Sequence, residues 1–341
     1  LRKKFFSSTF FKRGAALLSS IILSAGCFNA QAIISTAKTV GYVNELTGLP
    51  TTVSPLQRPI AVMIDNDKRA NPHYGLGEAD IVYEMVNSTA NKRVTRLMAI
   101  YKDYNTISRI GNIRSTRPTN IMLAAEYNAV LIHDGGPYYN NSHFKRSKID
   151  HISGGFSRIK NGKKSEFTEY VTTGQVKRKM AAAKISPNYT FLAGNHFNFG
   201  VNNLAARADS YSALNAYLPF PHNSTQFHYD ASKNLYNFKE LGKLVKDGDD
   251  KQSVAFTNLI ILNCPMVKLD KKGYVIYNII SQNRPGYYIS GGRMIPIAWS
   301  KTGDATKMTF STLDGKELIV NPGKTYIGIV PEDSWNKVFI G

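Results

Sequence analysis

Cysteine is nearly absent from this chain. Two in 341 residues exclude a disulfide-rich scaffold. Acidic residues are scarce as well, 24 Asp and Glu against 43 Lys and Arg, giving a formal charge of +19. No apolar run reaches the ~20 residues of an ordinary membrane-spanning helix, which excludes a multi-span membrane protein. Metal spacing is missing. None of His73, His133, His143, His151, His196, His222 and His228 forms an H-x-x-x-H pair, and there is no C-x-x-C, so neither metal nor cofactor is expected. What is plentiful is apolar residue, 43%, too much for a disordered chain and enough for about two cores.

The first 32 residues read as an export signal. Arg2, Lys3, Lys4, Lys12 and Arg13 are followed by an uncharged, mostly apolar stretch from Gly14 to Gly26, the order of a signal peptide. Two cleavage readings follow. Leu23-Ser24-Ala25-Gly26-Cys27 resembles a lipoprotein box, with Cys27 carrying lipid. Ala30-Gln31-Ala32 is an A-x-A site that would release a soluble periplasmic or extracellular protein. The first is favoured, so the expectation is a membrane-anchored lipoprotein of the cell envelope. Removing the five basic residues lowers the charge from +19 to +14. A field of that sign concentrates anionic partners, which outside the cytosol are lipid head groups and wall polymers; no nucleic acid is expected.

Residues 33–58 read as a tether and lead-in. Pro59 to Ile64 is a buried-strand pattern ending in Asp65-Asn66, and Asp80–Val86 with Val94–Tyr101 is a hairpin candidate. Thr116 to Asn128 reads as a helix with Pro118 near its start, Ala129 to His133 as a strand, and Gln175 to Lys184 as a short basic helix. A first domain over 59–185 is followed by a linking segment, 186–225. From 226 to 332 short strands separated by Gly, Pro, Asn and Asp turns indicate a mostly antiparallel β domain. Cys264, ending an apolar run, reads as a small core residue.

Polar residues of interest fall where strands end. Asp65 and Asn66 follow one strand, His133 and Asp134 another, and Arg114, Ser115 and Arg117 precede a helix. If those strands are neighbours of like orientation, the seven residues share one crevice. There the arginines supply planar donors for carboxylate or phosphate. The competing reading is a buried polar network that fixes the strand ends. His133 with a carboxylate can serve as a base, making Asp65 and His133 the candidates for any catalysis. However, Ser115 is in no G-x-S-x-G elbow, and no catalytic residue is assigned. Glu78, Asp80 and Glu84 read as a solvated strand edge.

Several stretches in order resemble the YerB-like family of bacterial lipoproteins: Asn44–Pro50, Pro59–Asn66 (PIAVMIDN), Gly75–Glu84 (GLGEADIVYE), Thr95–Ile100, Ile110–Arg117 (IGNIRSTR), His133–Gly136 (HDGG), Tyr288–Gly292 and Asp314–Pro331. Asn112 and Asp134 depart from the family's usual Pro and Ala. The resemblance implies an α+β fold: an N-terminal layered α/β sandwich domain with a mixed sheet, and a smaller, mostly antiparallel β-rich C-terminal domain. It also implies an exported, lipid-anchored protein, and supplies no reaction. Three functions remain open. One is binding an anionic wall component or a membrane-bound wall-synthesis protein. Another is an enzyme acting on wall glycan or peptide through Asp65 and His133. The third is an adaptor docking through the β domain.

Overall fold

Five consecutive apolar residues and the aspartate that ends them, Ile60–Asp65 (β1), are wholly buried, as are Ile81–Val86 (β2) and Thr95–Tyr101 (β3). Strands buried on both faces lose the apolar–polar alternation and become continuous runs. The structure is a computed structural model and describes residues 41–191 and 195–341. The export signal, with Cys27, Ala32 and both cleavage readings, lies outside the described residues.

β3 pairs antiparallel with β2 and with β1, with Asp65 directly opposite Arg96. The helix Pro118–Glu126 (α1) starts on proline, and every residue in it is buried. It returns the chain to Val130–His133 (β4), parallel to β1. Asn140–Ser147 (α2) then leads to His151–Ser153 (β5), parallel to β4. The helix Thr173–Ala182 (α3) is closed by a capping box in which the Thr172 hydroxyl accepts from the Gln175 N–H, and the Thr172 N–H donates to the Gln175 side chain.

The later strands are Tyr211–Ser212 (β6), Asn215–Tyr217 (β7), Gln226–Asp230 (β8), Leu235–Glu240 (β9), Lys243–Leu244 (β10) and Ala255–Phe256 (β11). Asn258–Cys264 (β12), Ser281–Ser290 (β13), Arg293–Lys301 (β14), Thr309–Thr312 (β15), Thr325–Pro331 (β16) and Phe339–Ile340 (β17) complete those of the two large sheets. Six of them, β6 and β12–β16, join β1–β5 rather than forming a separate sheet. The central sheet has eleven strands in the order β6-β14-β13-β12-β16-β2-β3-β1-β4-β5, with β15 beside β14. β16 lies between β12 and β2, parallel to both. The stretches 59–185 and 226–332 therefore meet in one mixed sheet. The stretch 186–225 adds β6 to its edge and β7 to a second, six-stranded sheet ordered β10-β9-β8-β7-β17, with β11 beside β9.

Alternation along β2 sorts the layers, because successive side chains point to opposite faces. The Tyr83 hydroxyl donates to Glu126 Oε1 at 3.2 Å and lies 2.7 Å from the Tyr127 hydroxyl, on the helix side. Glu84, the next residue, faces the second sheet. There Tyr326 from β16 packs against Phe227 of β8 at 4.5 Å and Phe256 of β11 at 5.7 Å between ring centres. The fold is thus a helix layer, a central mixed sheet and a second, antiparallel sheet. Across the helix face, Lys301 Nζ meets Glu126 Oε2 at 2.7 Å with both side chains unexposed. Cys264 is buried, and burial pushes its thiol up to about 12.

Candidate functional site

The end of β1 is where charge gathers. Asp65 is 2% exposed. Its register partner Arg96 brings Nη2 to 3.5 Å from Oδ1, and the equally buried Arg96 donates from Nη1 to the Ser115 carbonyl at 3.1 Å. The segment carrying Arg114 is tied to the strand ends on both sides. The Arg114 N–H donates to the Met63 carbonyl at 3.0 Å, and the Asp134 N–H to the Arg114 carbonyl at 3.1 Å. That backbone places Arg114 Nε 3.1 Å from Asp65 Oδ2 and Nη2 3.3 Å from Glu166 Oε2. The loop after β1 adds Asp67, gripped by Arg69 through two hydrogen bonds of 2.8 Å. Those bonds hold the Asp67 carboxyl down to about 2.

These side chains line a cavity of about 120 Å³, with Asn91 and Phe167 also in its wall. It shares Asp67, Arg69 and Asn91 with an outer chamber of about 540 Å³, lined further by Lys68, Lys92, Pro221, His222 and Leu241. His222 Nδ1–H donates to the Asn91 carbonyl at 2.8 Å. Across both chambers Lys68, Arg69, Lys92, Arg96 and Arg114 face Asp65, Asp67 and Glu166, an excess of two positive charges. Arg96 Nε is buried and makes no hydrogen bond, while Arg114 Nε and Asp65 Oδ2 meet as an ion pair without the alignment of a hydrogen bond. Burial lowers the Arg96 pKa, and Asp65 opposes that shift.

The seven residues expected in one crevice are only partly united. Asp65 and Arg114 line the cavity, and Ser115 does not, its carbonyl only holding Arg96. Arg117 sits behind it, its guanidinium 4.3 Å from the Tyr274 ring centre. Burial, then the charge of Arg96, brings Arg117 down to about 9. Asn66 points to the other face and donates to Glu84 at 3.2 Å and Thr95 at 2.9 Å, because neighbouring residues of a strand alternate. His133 joins a separate cluster. Its Nδ1–H donates to the Gly135 carbonyl at 2.8 Å, so Nε2 accepts from His151 Nδ1–H at 3.0 Å. Phe144 of α2 stacks on both rings, and burial pushes His133 down to about 4. Asp134, half-exposed, lies 3.9 Å from Arg158. His133 does not line either chamber of the cleft that Asp65 lines.

Glu84 corrects the reading of a solvated acidic edge. It has no exposure and accepts from Asn66, Thr95 and Thr225, and from the Tyr326 hydroxyl at 2.6 Å. Burial, then the charge of Glu240, raises it to about 8. The network lies between the two sheets, where it fixes their packing. A more voluminous groove, about 590 Å³, runs past Tyr217, Phe220 and Pro221. Arg93 grips Asp333 there at 2.7 and 2.5 Å, which leaves Lys337 as an excess of one positive charge against two in the Asp65 cleft. Among the described residues no group of three or more metal-ligating side chains converges, and no helix is long and apolar enough to cross a membrane.

Residues 46–186 match the N-terminal domain, and residues 216–327 the C-terminal domain, of the family described as "Protein of unknown function (DUF3048)". The chain belongs to this family. It is 25% identical over 325 residues to YerB of Bacillus subtilis (strain 168), a protein named as a lipoprotein, over 93% of this chain and 94% of that one. The crystal structure of YerB from Bacillus subtilis matches with a TM-score of 0.75 at 23% identity, covering 88% of this chain and 99% of that one, and shows the same fold. The DUF3048 halves both build the cleft. Asp65, Arg96, Arg114 and Glu166 come from the N-terminal match, Pro221, His222 and Leu241 from the C-terminal one. Arg96 carried a sequence signal, a lone charge inside an apolar strand. Asp67 and Arg69 sit in a polar loop and Glu166 in the short 3-10 turn Ser165–Phe167, and these carried none.

Proposed function

We propose that this protein is an exported cell-envelope lipoprotein, anchored through Cys27, that binds the anionic group of a wall component in the Asp65–Arg96–Arg114 cleft. The observation that carries the reading is the cleft floor. Arg96 keeps a buried Nε–H with no acceptor, and such a group costs free energy until a partner arrives; Arg114 beside it is engaged with Asp65 and Glu166. Bidentate binding of carboxylate or phosphate is what an arginine fork does best. The two-charge excess of the chambers draws anions towards it. The name of the Bacillus relative supports the anchor, as does the basic, then apolar, opening of the sequence.

Titration of the protein with solubilised wall fragments tests this. The double variant Arg96→Gln, Arg114→Gln should bind at least tenfold more weakly, with the salt dependence of binding reduced. Unchanged affinity in that variant would remove the cleft from the account. Cys27→Ala should move the protein from the membrane to the soluble fraction.

A further inference from the structure

We propose that the edge of the central sheet at β5, with α2 and α3 beside it, is a face that lies on an anionic lipid bilayer. The inference rests on the Cys27 anchor of the proposed function and is independent of the cleft. Charge is unevenly spread along the chain. Residues 141–190 hold eleven Lys and Arg against three Asp and Glu, so they supply +8 of the +14 that remains after the signal. Each of the three acids is taken by an arginine: Asp150 by Arg58 at 2.6 Å, Glu166 by Arg114 at 3.3 Å and Glu169 by Arg158 at 3.4 Å. Lys145, Lys148, Lys177, Arg178 and Lys184 are exposed and meet no carboxylate among the described residues.

These five lie around one edge. β5 is the last strand of the central sheet and pairs only with β4. α2 reaches it through Phe144, whose ring stacks on His151 at 3.8 Å between centres. α3 reaches its far end through Lys179, whose ammonium donates to the Gly154 carbonyl at 3.0 Å. The exposed positions of α3 are Gly174, Lys177, Arg178, Ala181 and Ala182, basic and small residues without an acid. Lysines on an edge strand also deter pairing with another chain, but β5 itself has none, and its basic neighbours lie in or just after the helices.

Where the tether leaves decides which polyanion this edge meets. The described chain begins at Gly41, fourteen positions after Cys27. At ~3.3–3.6 Å per residue, a lipid on Cys27 keeps that point within about 50 Å of the bilayer. The lead-in is fastened to the end of the basic stretch. The Arg58 N–H donates to the Pro187 carbonyl at 2.9 Å, the Tyr189 N–H to the Leu56 carbonyl at 2.8 Å, and the Tyr189 hydroxyl to Glu45 at 2.5 Å. Arg58 also holds Asp150, the residue before β5, so this junction adjoins the basic edge. Leu56 and Phe191 are exposed at the junction. Apolar side chains beside basic ones suit the boundary of an anionic bilayer, whereas a soluble wall polymer would leave them bare.

Val40 to Gly341 is one compact unit, so the chain from residue 28 onward, without signal or lipid, can be floated with vesicles. Vesicles of about one-third phosphatidylglycerol should be bound at least tenfold more tightly than pure phosphatidylcholine, and less tightly as salt rises. A basic residue near such a surface contributes about fivefold to binding. The variant Lys145→Gln, Lys177→Gln, Arg178→Gln, Lys184→Gln should therefore lose at least about fiftyfold. Removing four exposed lysines elsewhere, Lys233→Gln, Lys243→Gln, Lys246→Gln, Lys268→Gln, should cost less than about threefold, because distant charges are screened. Leu56→Ser should weaken binding to vesicles. Equal losses from the two quadruple variants would mean that net charge alone acts and would overturn the face, as would the absence of any preference for anionic vesicles. Soluble poly(glycerol phosphate) binding as tightly as the vesicles assigns the edge to a wall polymer and overturns the bilayer. The tested chain lacks Cys27, so failure here leaves the anchor standing, and failure of the anchor is read separately from the Cys27→Ala fractionation.

Discussion

Glu84 shows what a single residue's surroundings do to its chemistry. Sealed between two sheets, its carboxyl is raised to about 8 by burial and by Glu240. Its folded pKa lies above the unfolded value near 4.5. The stability it lends is therefore whole below about pH 4.5 and is lost as pH rises through about 8. The melting temperature should fall across that window, and Glu84→Gln should flatten the fall, as thermal unfolding at a series of pH values will read. An unchanged slope would contradict the assignment. The sequence presents Glu84 as one acid among three on a strand of ordinary polarity. Only the second sheet, which covers it, makes it different. Asp65 and Arg114 were legible because a charge ending an apolar run and an arginine pair before a helix are local patterns.

At the scale of elements, the connection from β2 to β3 is unusual. Asn91, Lys92 and Arg93 have φ of 49°, 56° and 59° in succession. The left-handed region costs a non-glycine residue about 1–2 kcal/mol, and this turn walls both chambers of the cleft. His222 and Asp333 clamp it. Lys92, exposed, has the least to lose by substitution. Lys92→Gly should raise stability by about 0.5–1 kcal/mol in urea unfolding, since glycine adopts this conformation without a Cβ clash. A loss of stability would mean that the turn is not strained.

Most long elements were readable. Strands β1, β3 and β12 are apolar runs of strand length, and α1 begins on its proline. The elements that escaped are those whose pattern is too short or too polar. α2 reads Asn-Asn-Ser-His-Phe-Lys-Arg-Ser and has no apolar stripe. β5 has three residues. β9 alternates, but one of its three inward positions is Glu240.

The molecule as a whole is held by a pairing that no local pattern announces. β2, from the first half, and β16, near the end of the chain, are adjacent parallel strands. Lys301 reaches Glu126 across the same boundary. A fragment covering 59–185 alone would expose the β16-facing edge of β2 and leave Glu126 without its ammonium, and breaking a buried pair this way costs about 3–5 kcal/mol. That fragment should show no cooperative unfolding transition by circular dichroism, and a sharp one would mean that the halves are independent. The same continuity explains the cleft: its floor comes from the first half and part of its outer wall from the second, so it exists only once both have folded together.

The most direct measurement is a crystal structure of the protein soaked with wall fragments. The account predicts density for an anionic group within hydrogen-bond distance of the Arg96 and Arg114 guanidiniums. Density confined to the groove beside Tyr217 and Phe220, or to the His133–His151 pair, with the arginine cleft empty, would contradict it.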